Sequence, residues 1–456
     1  MESPSSRSMR TFLIIWIGQM ISVLGTGLTD FALGVWIYQR THQATPFAIT
    51  ILFASLPRIL LAPFAGSMAD RWDRRYLMMI ADTANALLTL IVLGLFIYNR
   101  LEIWQIYLVA LFGSILGTFQ DIAYTAAIPT LVPKKDLARA SGMVQTVQGL
   151  QVLVAPLLAS VLFGWIGLHG IMLIDYITYF AAIGTLFLVH IPQPILSESD
   201  SNQSKGHFRQ VAADTRFGWR YLRERTGLFW LLMYFALINF LMQMTGVLIG
   251  PLVLAFKGAQ EYGAVQAIAG LGMLFGSLLI SIWGGPRRKI QGVFGFYTLA
   301  AVCLFVAGLY PSIPLIAVGL FGLMFFLPIA IASGQAVFQI KIDLSAQGRV
   351  GAMRSMIAQS AMPLAFLLAG PLSDRFFDPL MGVGGFLGRS FLGRLIGNGA
   401  GRGTGLMFVI SGLILVIVSL ITYTNPRIRN VEMELPDAIQ EEAAPAAQVG
   451  VPETVS

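Results

Sequence analysis

The chain has 456 residues, of which 56% are hydrophobic and 12% charged, with a formal net charge of +7, four histidines and one cysteine. Soluble domains carry about 25% charged residues, so this composition excludes a soluble enzyme and places the chain in a membrane. Cys303 has no partner for an intramolecular disulfide, and the basic residues are scattered in clusters between apolar segments, which argues against a nucleic-acid partner.

The opening MESPSSRSMR leads into an apolar run longer than the roughly 7 to 15 residue core of a cleaved signal peptide, so it reads as a first span. A helix needs about 20 apolar residues to cross the hydrocarbon core. Twelve segments qualify: 11–38, 47–69, 76–98, 103–127, 137–165 and 168–190, then 227–255, 260–283, 289–309, 312–340, 346–374 and 405–424. The expected fold is therefore an all-α membrane protein of twelve transmembrane helices in two pseudo-symmetric six-helix bundles. A polar stretch, ILSESDSNQSKGHFRQVAADTRFGWRYLRER, separates the bundles. The organisation predicted is a cytoplasmic N-terminus over 1–10, a bundle over 11–192, a cytoplasmic linker over 193–226, a second bundle over 227–425 and a disordered cytoplasmic tail over 426–456. From Val431 the tail is rich in Ala, Pro and Glu, a composition that cannot bury a core, so disorder is expected there.

Lys and Arg concentrate on one side of this layout: Arg7, Arg10, Arg71, Arg74, Arg75, Lys134, Lys135, Arg139, the cluster from Lys205 to Arg225, Arg287, Arg288, Lys289, Arg349, Arg427 and Arg429. Arg40, Arg100 and Lys257 lie on the other. Positive loops stay inside, which predicts both termini and the linker in the cytoplasm of a bacterial cell. One loop is discordant, DRFFDPLMGVGGFLGRSFLGRLIGNGAGRGTG, whose arginines fall outside. Its glycines do not form a phosphate cradle, since no strand precedes them and no Lys follows; a flexible or re-entrant exterior loop is expected. Trp36, Trp104, Trp165, Trp230 and Trp283 fall near helix ends, where indole rings anchor at the headgroup layer.

The turn after the second span reads GSMADRWDRRYL and packs two acids and three arginines into residues 70–75. A topology signal would explain Arg71, Arg74 and Arg75 but not Gly66 and Asp70, which are four residues apart and so share one helix face. Small residues on such a face let helices approach closely, and the acid can pair with an arginine or a helix N-terminus.

The pattern G-x-x-x-D-R-x-x-R-R, set in twelve spans with a central linker, resembles the signature of the major facilitator superfamily over residues 11–424. A degenerate echo, WGGPRRK, occurs at the equivalent turn of the second half without the Asp. The resemblance implies a cytoplasmic latch formed by Gly66, Asp70, Arg71, Arg74 and Arg75. Asp121 on the fourth span would be bridged to Asp70 by an arginine of the turn when the inside is shut; local capping or packing of Asp121 is the other reading. GLQVLVAPLLAS resembles a worn form of the superfamily's antiporter motif, with Ala155-Pro156 in place of Gly-Pro, a departure that weakens the case for antiport. The stretches at 369–381 and 401–412 resemble the efflux branch that includes macrolide and siderophore exporters.

Charges at membrane depth cost about 2.5 to 3.5 kcal/mol each on insertion scales. Asp30 on the first span and Arg58 on the second are expected to pair, either as a static ion pair or as a site that takes up a proton when the pair separates. Asp175 reads as a packing residue. Gln145, Gln148 and Gln151 recur along the fifth span and would line a wet cavity with Tyr124, Asn239, Gln243, Gln335, Gln339 and Gln359, although interhelical hydrogen bonds explain glutamines equally well.

These observations point to a secondary transporter that exports a small amphipathic molecule, such as a drug, a peptide natural product or a siderophore, in exchange for protons. A lipid or lysophospholipid flippase on the same fold is the alternative, and a membrane-embedded enzyme a remote one. No nucleophile with its base and no ligand cluster forms within a span, and no cofactor, metal or nucleotide motif occurs. The expected partners are the substrate, protons and the bilayer, with the chain acting as a monomer.

Overall fold

The computed structural model describes residues 9–189, 216–342 and 344–434. The expectations for residues 1–8, for most of the linker and for the tail beyond 434 fall outside the described residues, as do the side chains of residues 62–71. Among the described residues the chain is helical and has no strand. Lipid offers no hydrogen bonds to a backbone, and an apolar segment that must satisfy its own N–H and C=O groups becomes a helix.

Twelve crossings result. They are α1 (Met9–Thr41), α2 (Ala44–Arg71), α3 (Arg74–Ile97) and α4 (Ile103–Leu131), then α5 (137–166) and α6 (168–188). The second six are α7 (Thr226–Val247, continued by Ile249–Leu254), α8 (Ala259–Trp283), α9 (Lys289–Leu309), α10 (Ile313–Lys341), α11 (Leu344–Pro371) and α12 (Arg402–Thr424). Among the described residues, eleven helical stretches are long and apolar enough to cross a membrane. One of these, Leu137–Leu188, has 52 residues, about 78 Å at 1.5 Å per residue, far more than a core of about 30 Å requires. It breaks at Gly167, with φ 64° and ψ −172°, a conformation that only glycine adopts without steric cost. The single stretch is therefore two spans. Helix α11 outruns its expected end at 374: a π-helical turn (Leu372–Phe377) and a last turn (Asp378–Met381) extend it.

Three segments outside the predicted spans are structured. The end of the predicted linker is helical over 216–224, with Tyr221 and Leu222 buried. The start of the predicted disordered tail is also folded, as Pro426–Arg429 and Val431–Glu434. Ile428 and Val431 are buried there, Glu432 Oε1 accepts from the Ile290 N–H at 3.1 Å, and Lys341 Nζ donates to the Glu432 carbonyl. Two apolar residues amid the charges suffice to dock this segment. The glycine-rich loop, finally, holds a short helix (Phe391–Ile396), and Arg402 is not a loop arginine. Its side chain is buried at the start of α12 and donates to the Gly308 carbonyl at 2.8 Å.

Within the first six helices α1 lies along α5 and α6, and α2 along α4; within the second six α9 packs on α10 and α12, and α7 on α11. Contacts between the two sets are made by α5 with α8, α2 with α11, and α1 with the end of α7. An even number of crossings returns the chain to the face where it began, here called the termini face, and the opposite one is the far face.

Candidate transport pathway

At the far face the two sets of helices meet. Phe31 of α1 stacks on Tyr262 of α8 with ring centroids 4.9 Å apart. Below it α5 and α8 touch backbone to side chain: a Cβ on Gly263 would lie 2.3 Å from Ser160. Asp374 of α11 accepts hydrogen bonds from the N–H groups of Ala44 and Thr45, at 2.8 and 2.7 Å.

Toward the termini face polar side chains stay accessible. Arg58 and Asp121 form an ion pair whose side chains are 67% and 56% exposed. Gln145 and Gln148 on α5, Gln335 and Gln339 on α10 and Gln359 on α11 are exposed too. Arg354 Nη2 donates to Gln335 Oε1 at 2.9 Å. Amides and an ion pair on apolar helices need water or each other, and their exposure is what a wet gap open at the termini face would require. Inside the second set a cavity of about 200 Å³ is lined by Asn239, Met242, Gln243, Tyr297, Met324 and Phe408, among others.

The structure does not pair Asp30 with Arg58. Helix α2 lies along α4, which hands Arg58 to Asp121, while α1 turns toward α5 and α6. Asp30 remains exposed, one residue from the Phe31 stack. The bridge expected between Asp121 and Asp70 rests on Asp70, whose side chain falls outside the described residues; Asp121 itself is engaged by Arg58. Arg74 Nη1 donates to the Ala126 carbonyl of α4 at 2.7 Å, and Arg75 donates to the carbonyls of Leu186 and Phe187 at 2.7 and 3.1 Å. The partners of Gly66, Asp70 and Arg71 fall outside the described side chains.

The glutamine and tyrosine set divides. Gln243 and Asn239 line the cavity, with Asn239 Nδ2 also donating to the Phe235 carbonyl at 2.9 Å. Gln151 is half-buried where Gly27 of α1 crosses α5. Tyr124 packs against the cluster of Phe12, Ile15 and Met78, and its hydroxyl is buried without a partner among the described residues. It belongs to the packing of α1, α3 and α4 rather than to a wet wall.

Two buried networks supply partners that the sequence did not name. Asp82 of α3 accepts from Gln19 Nε2 of α1 at 3.1 Å and from Gln120 of α4, and Gln120 Nε2 also donates to Gln19 Oε1 at 2.9 Å. Asp175 of α6 accepts from the hydroxyls of Thr26 and Thr89, each at 3.2 Å. The signal for Asp82 was an acid in the apolar run MMIADTANALL, a placement that demands partners. Gln120 was hidden beside the more conspicuous Asp121.

A bundle of twelve apolar helices, shut at one face and wet from the other, is the architecture of a membrane carrier. Residues 15–366 match the family model of the Major Facilitator Superfamily, and the chain belongs to that family. The family is one of transporters, not enzymes. The chain is 28% identical over 375 residues to macrolide efflux protein A of Streptococcus pyogenes, covering 80% of this chain and 89% of that one. It is 23% identical over 375 residues to the multidrug efflux pump Tap of Mycolicibacterium fortuitum, covering 79% and 89%. Among solved structures, a bacterial homolog of the human lysosomal transporter Spinster, inward-facing and unoccupied, superposes with a TM-score of 0.66 at 13% identity, covering 98% of this chain and all of that one.

Proposed function

We propose that this carrier exports a small amphipathic molecule across a bacterial cytoplasmic membrane, with a macrolide as the first substrate to test, in exchange for protons. The observation that carries the reading is the asymmetry between the faces: a sealed far face, a wet opening at the termini face, and between them a cavity with amide and apolar walls. The excess of Lys and Arg at the termini face supports a cytoplasmic placement of both termini. The structure is then the inward-open state, which loads from the cytoplasm.

Alternation needs the two six-helix sets, residues 11–192 and 227–425, to rock about the contacts between them. The charged turn of Gly66, Asp70, Arg71, Arg74 and Arg75 is the proposed latch for the opposite, outward-open state. Asp30 is the proposed proton carrier, since it stands exposed at membrane depth beside an aromatic contact that must break when the far face opens. The likeness to macrolide efflux protein A supports the substrate class, and the uncharged cavity wall suits a bulky amphiphile bound by apolar contact with few hydrogen bonds.

The test is uptake of a labelled macrolide, erythromycin, into inverted membrane vesicles carrying the full chain. An imposed proton gradient, acidic inside, should drive accumulation, and Asp30→Asn should abolish that drive. Accumulation that ignores the gradient rejects proton exchange, and its absence for macrolides and other amphiphiles rejects export. Arg71→Ala and Asp70→Ala should slow turnover while leaving erythromycin binding intact; normal turnover in both rejects the latch.

A further inference from the structure

Helix α2 begins at the far face, and the acceptor for its first N–H groups comes from a residue 330 positions away in the chain. The first turn of any helix has N–H groups without intrahelical partners and carries about half a unit of positive charge. Asp374 meets both needs at once. Its Oδ1 accepts from Ala44 and its Oδ2 from Thr45, at 2.8 and 2.7 Å, so one carboxylate spans the gap between the first six helices and the last six. One turn earlier on α11, Gly370 presses on the same place: a Cβ there would lie 2.4 Å from the Thr45 Cα. The π-helical turn Leu372–Phe377 carries Asp374, and the next turn carries Asp378, whose Oδ1 accepts from the Gly403 N–H at 2.9 Å at the start of α12. Two acids one turn apart thus cap two helices, but only Asp374 caps a helix of the other set.

We propose that Asp374 is a positioning residue for transport, a far-face latch that holds the carrier open toward the termini face. The inference rests on the alternating-access reading above. Bonds between a carboxylate and backbone N–H groups are charge-assisted, roughly twice as strong as neutral ones, and this pair exists only while α2 and α11 touch. When the far face opens, water replaces both partners. A contact made in one state and not in the other biases the equilibrium between them, and this contact biases it toward the structure described here.

Spin labels at Tyr98 and Phe386, both exposed on far-face loops of opposite sets, report the opening in the full chain with Cys303→Ser, reconstituted in lipid nanodiscs. A second pair at Lys135 and Arg288 reports the termini face. The wild type should show two distance populations whose ratio responds to erythromycin. Asp374→Asn should raise the far-face-open to far-face-closed ratio about tenfold. Gly370→Ala should shift it the same way, because the added methyl collides with α2 only in the closed state and alanine favours the helix. Asp378→Asn, which loses a cap made within the second set, should leave the ratio within twofold. Equal shifts from Asp374→Asn and Asp378→Asn would reduce Asp374 to a structural cap, and unchanged ratios in both Asp374→Asn and Gly370→Ala would overturn the latch. A single population at both label pairs in the wild type, with and without erythromycin, would instead overturn alternation itself.

Discussion

The first six helices carry four acids at membrane depth; the helices of the last six that wall the cavity carry amides and no acid. Asp30, Asp82, Asp121 and Asp175 all lie within α1, α3, α4 and α6, and two of them are tied into buried networks across three helices. The helices that wall the cavity, α7, α9, α10 and α12, contain no acidic residue. A cavity without an acid selects by shape and by a few hydrogen bonds, whereas a set of acids without bulk selects for charge. The contrast suggests a division of labour in which one set handles the ion and the other the cargo, and each prediction below strikes one side of it.

The largest effect is expected at Asp82. Truncation to Ala leaves the buried amides of Gln19 and Gln120 facing a void, a loss of about 2 kcal/mol, measurable as a lower unfolding temperature of the purified protein. Asp82→Asn keeps an acceptor in place and should lose less than about 1 kcal/mol. If both variants unfold like the wild type, the network does not hold α1, α3 and α4 together. If Asp82→Asn is stable yet transports without a proton gradient, the charge as well as the geometry belongs to the carrier's working parts.

On the other side, Gln243→Leu should weaken erythromycin binding about tenfold, the equivalent of one hydrogen bond of about 1.4 kcal/mol, without changing thermal stability. Equilibrium binding to the purified chain reads this directly. Asn239→Leu should act less, because Nδ2 of Asn239 is already engaged by its own helix at Phe235. Unchanged affinity in both variants would remove the cavity from the substrate's path and erase the contrast between the sets.

Much of this was legible in the sequence. Hydrophobic length alone located all twelve crossings, because a span has to satisfy its backbone within itself and so announces its extent. The break at Gly167 was anticipated as a gap between two apolar runs, and the exposed glutamines of α5 as a polar stripe. What stayed hidden was lateral pairing. The short connection between α1 and α2 suggested that Asp30 and Arg58 are neighbours, but membrane helices joined by short loops need not lie side by side along their length, and Arg58 went to α4. Asp374 was hidden for the same reason: nothing local in a chain marks an acid that caps a helix 330 residues away. Composition misled at residue 428, where two buried apolar side chains outweigh the charge around them.

The smallest effect is expected at the Arg58–Asp121 pair, and it separates stability from function. Both side chains are more than half exposed, and an ion pair in contact with water contributes little, so Asp121→Asn or Arg58→Gln should shift unfolding by less than about 0.5 kcal/mol. The pair nonetheless sits beside the Gln120–Asp82 network on the same helix, where the wet gap meets the dry interior of the first set. If the carboxylate half of the molecule governs the ion, Asp121→Asn should change the dependence of erythromycin uptake on the imposed proton gradient while erythromycin affinity stays within twofold of the wild type. An affinity loss as large as that of Gln243→Leu would place cargo contacts in both sets of helices, and the division between them would have to be redrawn along the gap rather than between its walls.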